Sequence, residues 1–134
     1  MKEECNGHLS ITVTSVLRDT HKISISFLPS DELQPFFHHS NIFVAEYSDN
    51  IENVPLSCAV IPFLVNVLPL AWITDAIISV DAIDKSFYES IGSFKQGYID
   101  MYPMITFKGN IEALHIVDNS YPTDGEAGVL FSGE

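Results

Sequence analysis

The sequence predicts an α+β fold: a mostly antiparallel sheet of five to six strands with two helices packed on one face. Three observations lead there. Leu9, Ile11 and Val13 alternate with Ser10, Thr12 and Thr14, the period-2 pattern of a strand with one buried side. Phe87, Ile91, Phe94, Tyr98 and Met101 recur at three- and four-residue steps, the spacing of a single helix face. A hydrophobic content of 46% over 134 residues, with nine Phe and five Tyr, supplies one core, while the chain is short for two. A domain of this length buries roughly two thirds of the surface of its unfolded chain, so it is expected to hold without disulfides or metals. The same content excludes a disordered or low-complexity chain.

The first alternating run is followed by Leu17-Arg18-Asp19-Thr20 and a second, in which Ile23, Ile25 and Phe27 alternate with Lys22, Ser24 and Ser26. Two such runs around a short polar connection predict a β-hairpin, which Pro29 ends. After a loop with Pro35 and His38-His39, Ile42 to Tyr47 predicts a third strand, and the polar stretch Ser48 to Asn53 breaks the chain again. Pro55, Pro62 and Pro69 then punctuate an apolar segment. A helix is expected to start near Pro55 or Leu56, to kink at Pro62 and to stop before Pro69. Ala76 to Val80 predicts a buried strand.

Asp84 or Ser86 begins the strongest helix signal, with Ser86 and Glu89 at capping-box spacing and Pro103 as the stop. Gly92 and Gly97 weaken that helix, each by up to ~1 kcal/mol relative to Ala. Ile105 to Phe107 and Ile111 to Val117 flank Lys108-Gly109-Asn110, which predicts a closing hairpin. The expected organisation is one α+β domain over residues 1–118, an acidic linker over 119–126, and over 127–134 the start of a further domain.

Charge excludes several function classes. Eighteen acidic residues against six basic ones give a net charge of −12. No Lys or Arg lies between Lys22 and Lys85, a stretch that carries Asp31, Glu32, Glu46, Asp49, Glu52, Asp75, Asp81 and Asp84. Nucleic-acid binding depends on cations that displace counterions from phosphates, so neither nucleic acid nor an anionic membrane is an expected partner. A macromolecular partner is expected to present a neutral or basic face. The apolar run Cys58 to Ile73 is shorter than the ~20 residues of a membrane span and contains Pro62, Asn66 and Pro69, so it reads as buried core. Cys5 and Cys58 form no disulfide or zinc pattern, and MKEECNGHLS lacks the apolar core of a signal peptide, which together predict a cytoplasmic protein.

The C-terminal residues carry the most specific motif. The apolar run Ala127-Gly128-Val129-Leu130-Phe131 leads into Ser132-Gly133 after the turn-rich stretch Asp118 to Glu126. This order resembles the opening of the PP-loop of ATP pyrophosphatases, the adenylating family that includes asparagine and GMP synthetases. There an apolar strand runs into Ser-Gly-Gly-X-Asp-Ser, whose backbone N–H groups hold pyrophosphate where the next helix begins. Leu130, Phe131, Ser132 and Gly133 match; Glu134 stands where the family has its second Gly. The resemblance implies that Ser132 and Gly133 begin a phosphate-binding turn. It also implies that ATP and Mg²⁺ belong to a downstream ATP-binding domain of the same protein, and that the isolated chain does not hydrolyse ATP.

Other constellations are weaker. Asp75, Asp81 and Asp84 bracket a predicted strand, and Asp75 with Asp81 is a candidate carboxylate site for Mg²⁺ or acid–base work. Asp84 reads better as a helix cap and Asp75 as a turn residue. Asn66 inside an apolar run is expected to be a buried amide bonded to backbone freed by Pro62 or Pro69, or a polar contact in a pocket with Trp72 and Phe63. The five histidines show no ligand spacing, and no metal site is expected.

The leading expectation is an N-terminal accessory domain of a PP-loop enzyme that positions substrate or partner. A stand-alone acidic interaction module is the alternative, and a small enzyme using Asp75 and Asp81 ranks third. An uncovered sheet edge is also expected to favour a homodimer.

Overall fold

The computed structural model describes residues 9–38 and 40–119. The predicted hairpin forms from β1 (Leu9–Arg18) and β2 (Lys22–Pro29), paired antiparallel. Asp19 builds its turn: one carboxylate oxygen accepts from the His21 and Lys22 amides at 2.9 and 2.8 Å. The bond from the His21 amide holds the Asp19 carboxyl below the usual carboxylate range. A bulge between Val13 and Ser15 leaves Thr14 as the extra residue, and its hydroxyl donates to the Ser26 carbonyl. A 3-10 helix over Asp31–Phe37 ends at His38 in the left-handed region and leads to β3 (Ile42–Glu46), which pairs antiparallel with β2.

The apolar segment folds as a short α1 (Leu56–Ala59) followed by α2 (Ile61–Thr74). Pro62 sits in the first turn of α2, where its missing N–H is one of the groups left over in any helix. Pro69 does not stop the helix as expected; it lies inside it. An interior proline costs about 3 kcal/mol. Phe63, Leu64, Val67, Leu68, Ala71 and Trp72 are buried along this helix, and each large side chain among them contributes roughly 1.5–3 kcal/mol. Burial wins. The carbonyl that loses its partner belongs to Val65, on the exposed side, where water can reach it.

β4 (Ala76–Asp84) then runs parallel to β1, α3 (Lys85–Met101) crosses back, and β5 (Asn110–Val117) pairs parallel with β4. The sheet order is β3-β2-β1-β4-β5. The α+β class and the five-strand sheet agree with expectation, but the pairing is mixed: the β1–β2 and β2–β3 pairs are antiparallel, whereas β1–β4 and β4–β5 are parallel. The predicted closing hairpin is absent because residues 105–107 are not a strand. Instead the Lys108 amide donates to the Trp72 carbonyl at 2.7 Å, and the Gly109 amide donates to the Asp75 carboxylate at 3.0 Å. These bonds tie the segment to the end of α2, and β5 finds its partner in β4. Gly109 has φ +70°, and a Cβ there would collide with the Ala71 carbonyl oxygen.

The helices cover one face of the sheet and enclose a single core that includes Ile11, Ile25, Leu64, Leu68 and Ile78. Two aromatic groups close its ends. Phe63 meets Phe27 and Phe43 at centroid distances of 4.8 and 5.7 Å; Trp72 meets Phe94 and Tyr98 of α3 at 5.2 and 5.8 Å. Among the described residues, no helix is long and apolar enough to cross a membrane.

Candidate functional site

Among the described residues, the face of the sheet away from the helices is open. Cross-strand pairing lines up Leu28, Thr12, Ser79 and Glu112 across four strands of this face. Strand alternation adds Asp81 and Leu114, two residues beyond Ser79 and Glu112. Apart from Leu28, these groups outline a hollow of about 420 Å³ that combines two hydroxyls, two carboxylates and an apolar wall. The Asp81 carboxylate is 79% exposed and lies 4.0 Å from Nε2 of His115, itself 70% exposed. Solvent screens such a pair, so Asp81 remains available to a cation from outside.

A second feature lies where the parallel strands end. Asp84 is 2% exposed and caps α3: one carboxylate oxygen accepts from the Phe87 amide at 3.0 Å. Its other oxygen accepts from the Asn119 side-chain amide at 2.8 Å. The same Asn119 nitrogen lies 3.0 Å from the buried Ser57 hydroxyl and 3.5 Å from Cys58 Sγ. With two hydrogens and three acceptors in reach, it serves the carboxylate and the hydroxyl best. Asn119 therefore fastens the end of β5 to α1 and to the start of α3. Sequence reading identified Asp84 as a cap but assigned Asn119 to a linker; nothing in a turn-rich stretch signals a partner 35 positions away.

The other candidate residues scatter. Asp75 occupies the left-handed region at the end of α2, with its carboxylate bonded to the Gly109 amide. It and Asp81 stand near opposite ends of β4, separated by about 20 Å of extended chain. The fold does not bring them together. Asn66 is exposed rather than buried, since it falls on the outer side of α2 beside Val65. Its amide donates at 2.7 Å to the Pro62 carbonyl one turn earlier, and not to the Val65 carbonyl that Pro69 frees. It lines an aromatic hollow of about 430 Å³ with Phe36, Phe43 and Phe63, whereas Trp72 floors a different hollow of about 290 Å³ between α3 and β5. The expected pairing of Asn66 with Trp72 in one pocket is not what the fold makes. Ser132 and Gly133 lie outside the described residues. Among the described residues, no three His, Cys, Asp or Glu side chains gather as metal ligands would.

Compared with known protein families, with curated proteins and with solved structures, the chain matches none.

Proposed function

We propose that this is the N-terminal accessory domain of a PP-loop ATP-pyrophosphatase-like enzyme, non-catalytic by itself, that positions a substrate or a partner for a downstream ATP-binding domain. The observation that carries the reading is the run Leu130-Phe131-Ser132-Gly133, placed after a domain whose last described strand ends at Val117. Two features of the fold support it. Asp75 and Asp81 sit apart, so they form no acid–base pair. Asn119 is anchored to buried groups, which gives the chain leaving β5 a fixed point of departure. ATP and Mg²⁺ are the cofactors the downstream domain would use, in a cytoplasmic protein.

Sequencing the encoding gene past codon 134 tests this directly. An in-frame Gly-X-Asp-Ser shortly after Ser132-Gly133 is the expected result, and a stop codon there overturns the proposal.

The second reading, an acidic interaction module, is favoured by a different observation. Leu17, Leu28, Ile42, Val44 and Leu114 are each at least half exposed, a large apolar content for a charged surface. A neutral or basic protein fits that surface; nucleic acid and anionic membrane do not, given the net charge of −12.

A further inference from the structure

The two edges of the sheet are unequal. β3 is five residues long and β5 eight; neither contains Pro, Lys or Arg, the residues that most often guard an edge, so β5 is the longer unguarded one. Among the described residues, no strand pairs with the outer side of β5. Leu114 is 78% exposed and Ile116 50% exposed. Each face of the sheet beside this strand carries a hollow. On the open face it is the one outlined by Thr12, Ser79, Asp81, Glu112 and Leu114. On the helix side, Trp72, Tyr88, Ile91, Lys95 and Ile111 line the other, and a Cβ added at Gly92 would meet nothing within 4 Å beyond its chain neighbours and the adjoining helix backbone.

A strand laid along an edge sends alternate side chains to the two faces. An edge with a hollow on either side therefore has room for both sets, the arrangement by which domains capture extended peptides. Charge selects the occupant. On the open face the recognising groups are the carboxylates of Asp81 and Glu112 beside the apolar Leu114, which call for alternate Lys or Arg and aliphatic residues. On the helix side Lys95 disfavours a cation, while Trp72, Tyr88 and Ile91 accept an apolar side chain. A second copy of this chain brings another net charge of −12, and so is opposed by charge.

The geometry points to strand addition at β5 by an extended segment of a partner protein, with basic residues facing Glu112 and Asp81 and apolar residues turned toward the Trp72 hollow. This inference rests on the geometry of the domain and not on the Ser132-Gly133 resemblance.

The test is a titration of isotope-labelled protein with a synthetic peptide of alternating Lys and Val, as long as β5, and with its Glu-Val counterpart. At low ionic strength the Lys-Val peptide is expected to slow hydrogen exchange of β5 amides and to shift resonances of Trp72 and Leu114. Added salt should weaken it steeply. Glu112→Lys should weaken binding about tenfold, and Leu114→Lys should also reduce it, at exposed positions where the fold is undisturbed. Equal binding of the Glu-Val peptide, or perturbations away from β5, would overturn the inference. So would sedimentation that shows a peptide-free dimer abolished by Leu114→Lys, which assigns the edge to a second copy.

Discussion

α2 and α3 pack on the same sheet face and touch through Trp72, yet they are built in opposite ways. α2 has a proline in its interior and no side-chain cap, and it buries six residues. α3 is three residues longer, is capped by Asp84 and shows the clean apolar stripe of a surface helix, yet none of its residues is fully buried. Phe87, Ile91, Phe94 and Tyr98 are only partly covered. A regular amphipathic pattern thus reports which side of a helix faces the protein and says little about depth. Depth is set by how many layers close over the element, and α2 lies across β4 with α3 over its end.

If this contrast holds, equal truncations should have unequal effects. Phe63→Ala in α2 is expected to destabilise the fold by about 3–5 kcal/mol, because a fully enclosed ring leaves a cavity. Phe94→Ala in α3 should cost about 1–2 kcal/mol, since water fills part of the space. Urea unfolding of both variants measures the difference, and equal losses would abolish the distinction between the helices.

Gly109→Ala probes the join between α2 and β5. The left-handed backbone costs an alanine about 1–2 kcal/mol, and the collision with the Ala71 carbonyl adds to that. Unfolding midpoints should fall, with α2 amides near Ala71 losing exchange protection first.

The sign reverses on α3. Gly92 and Gly97 are exposed helical positions where an added Cβ would meet nothing within 4 Å beyond its chain neighbours and the adjoining helix backbone. Gly92→Ala and Gly97→Ala should each stabilise the protein by about 0.5–1 kcal/mol, seen as a higher melting temperature. A loss instead would mean that α3 is packed more closely than its partial burial indicates.

The smallest effect concerns the turn of the first hairpin. The Asp19 carboxyl is held below the usual carboxylate range by the His21 amide, so the stability it adds is present above the unfolded carboxyl's pKa and lost as pH falls through the lower, folded value. Asp19→Asn keeps an acceptor oxygen but cannot titrate. Its stability should therefore fall below the parent's near neutrality and decline less in acid, so that the two converge as pH falls, as pH-dependent unfolding would show.

Reading the chain located most elements because local rules governed them. Pro29 closes β2, Asp84 caps α3, and Tyr102-Pro103 follows its end, each through a constraint acting within a few residues. Misjudged positions depended on distant partners. Pro69 is tolerated because Leu68 and Trp72 are buried against a sheet that the segment cannot specify alone. The 105–117 hairpin fails because Trp72 and Asp75 take up the amides of Lys108 and Gly109. The candidate site divides the same way: Asp81 was noticed as a carboxylate, but its neighbours Thr12 and Glu112 come from other strands.

The sequence by itself determined the α+β class, most of the element types, the first hairpin and the net acidic charge, since periodicity, proline geometry and charge are short-range or additive properties. Only the tertiary structure decided that β1, β4 and β5 run parallel, that Asn119 reaches Asp84, and that β5 is, among the described residues, an edge flanked by two hollows. Strand neighbours are chosen by which faces can be buried together, and that choice is made by the whole chain at once.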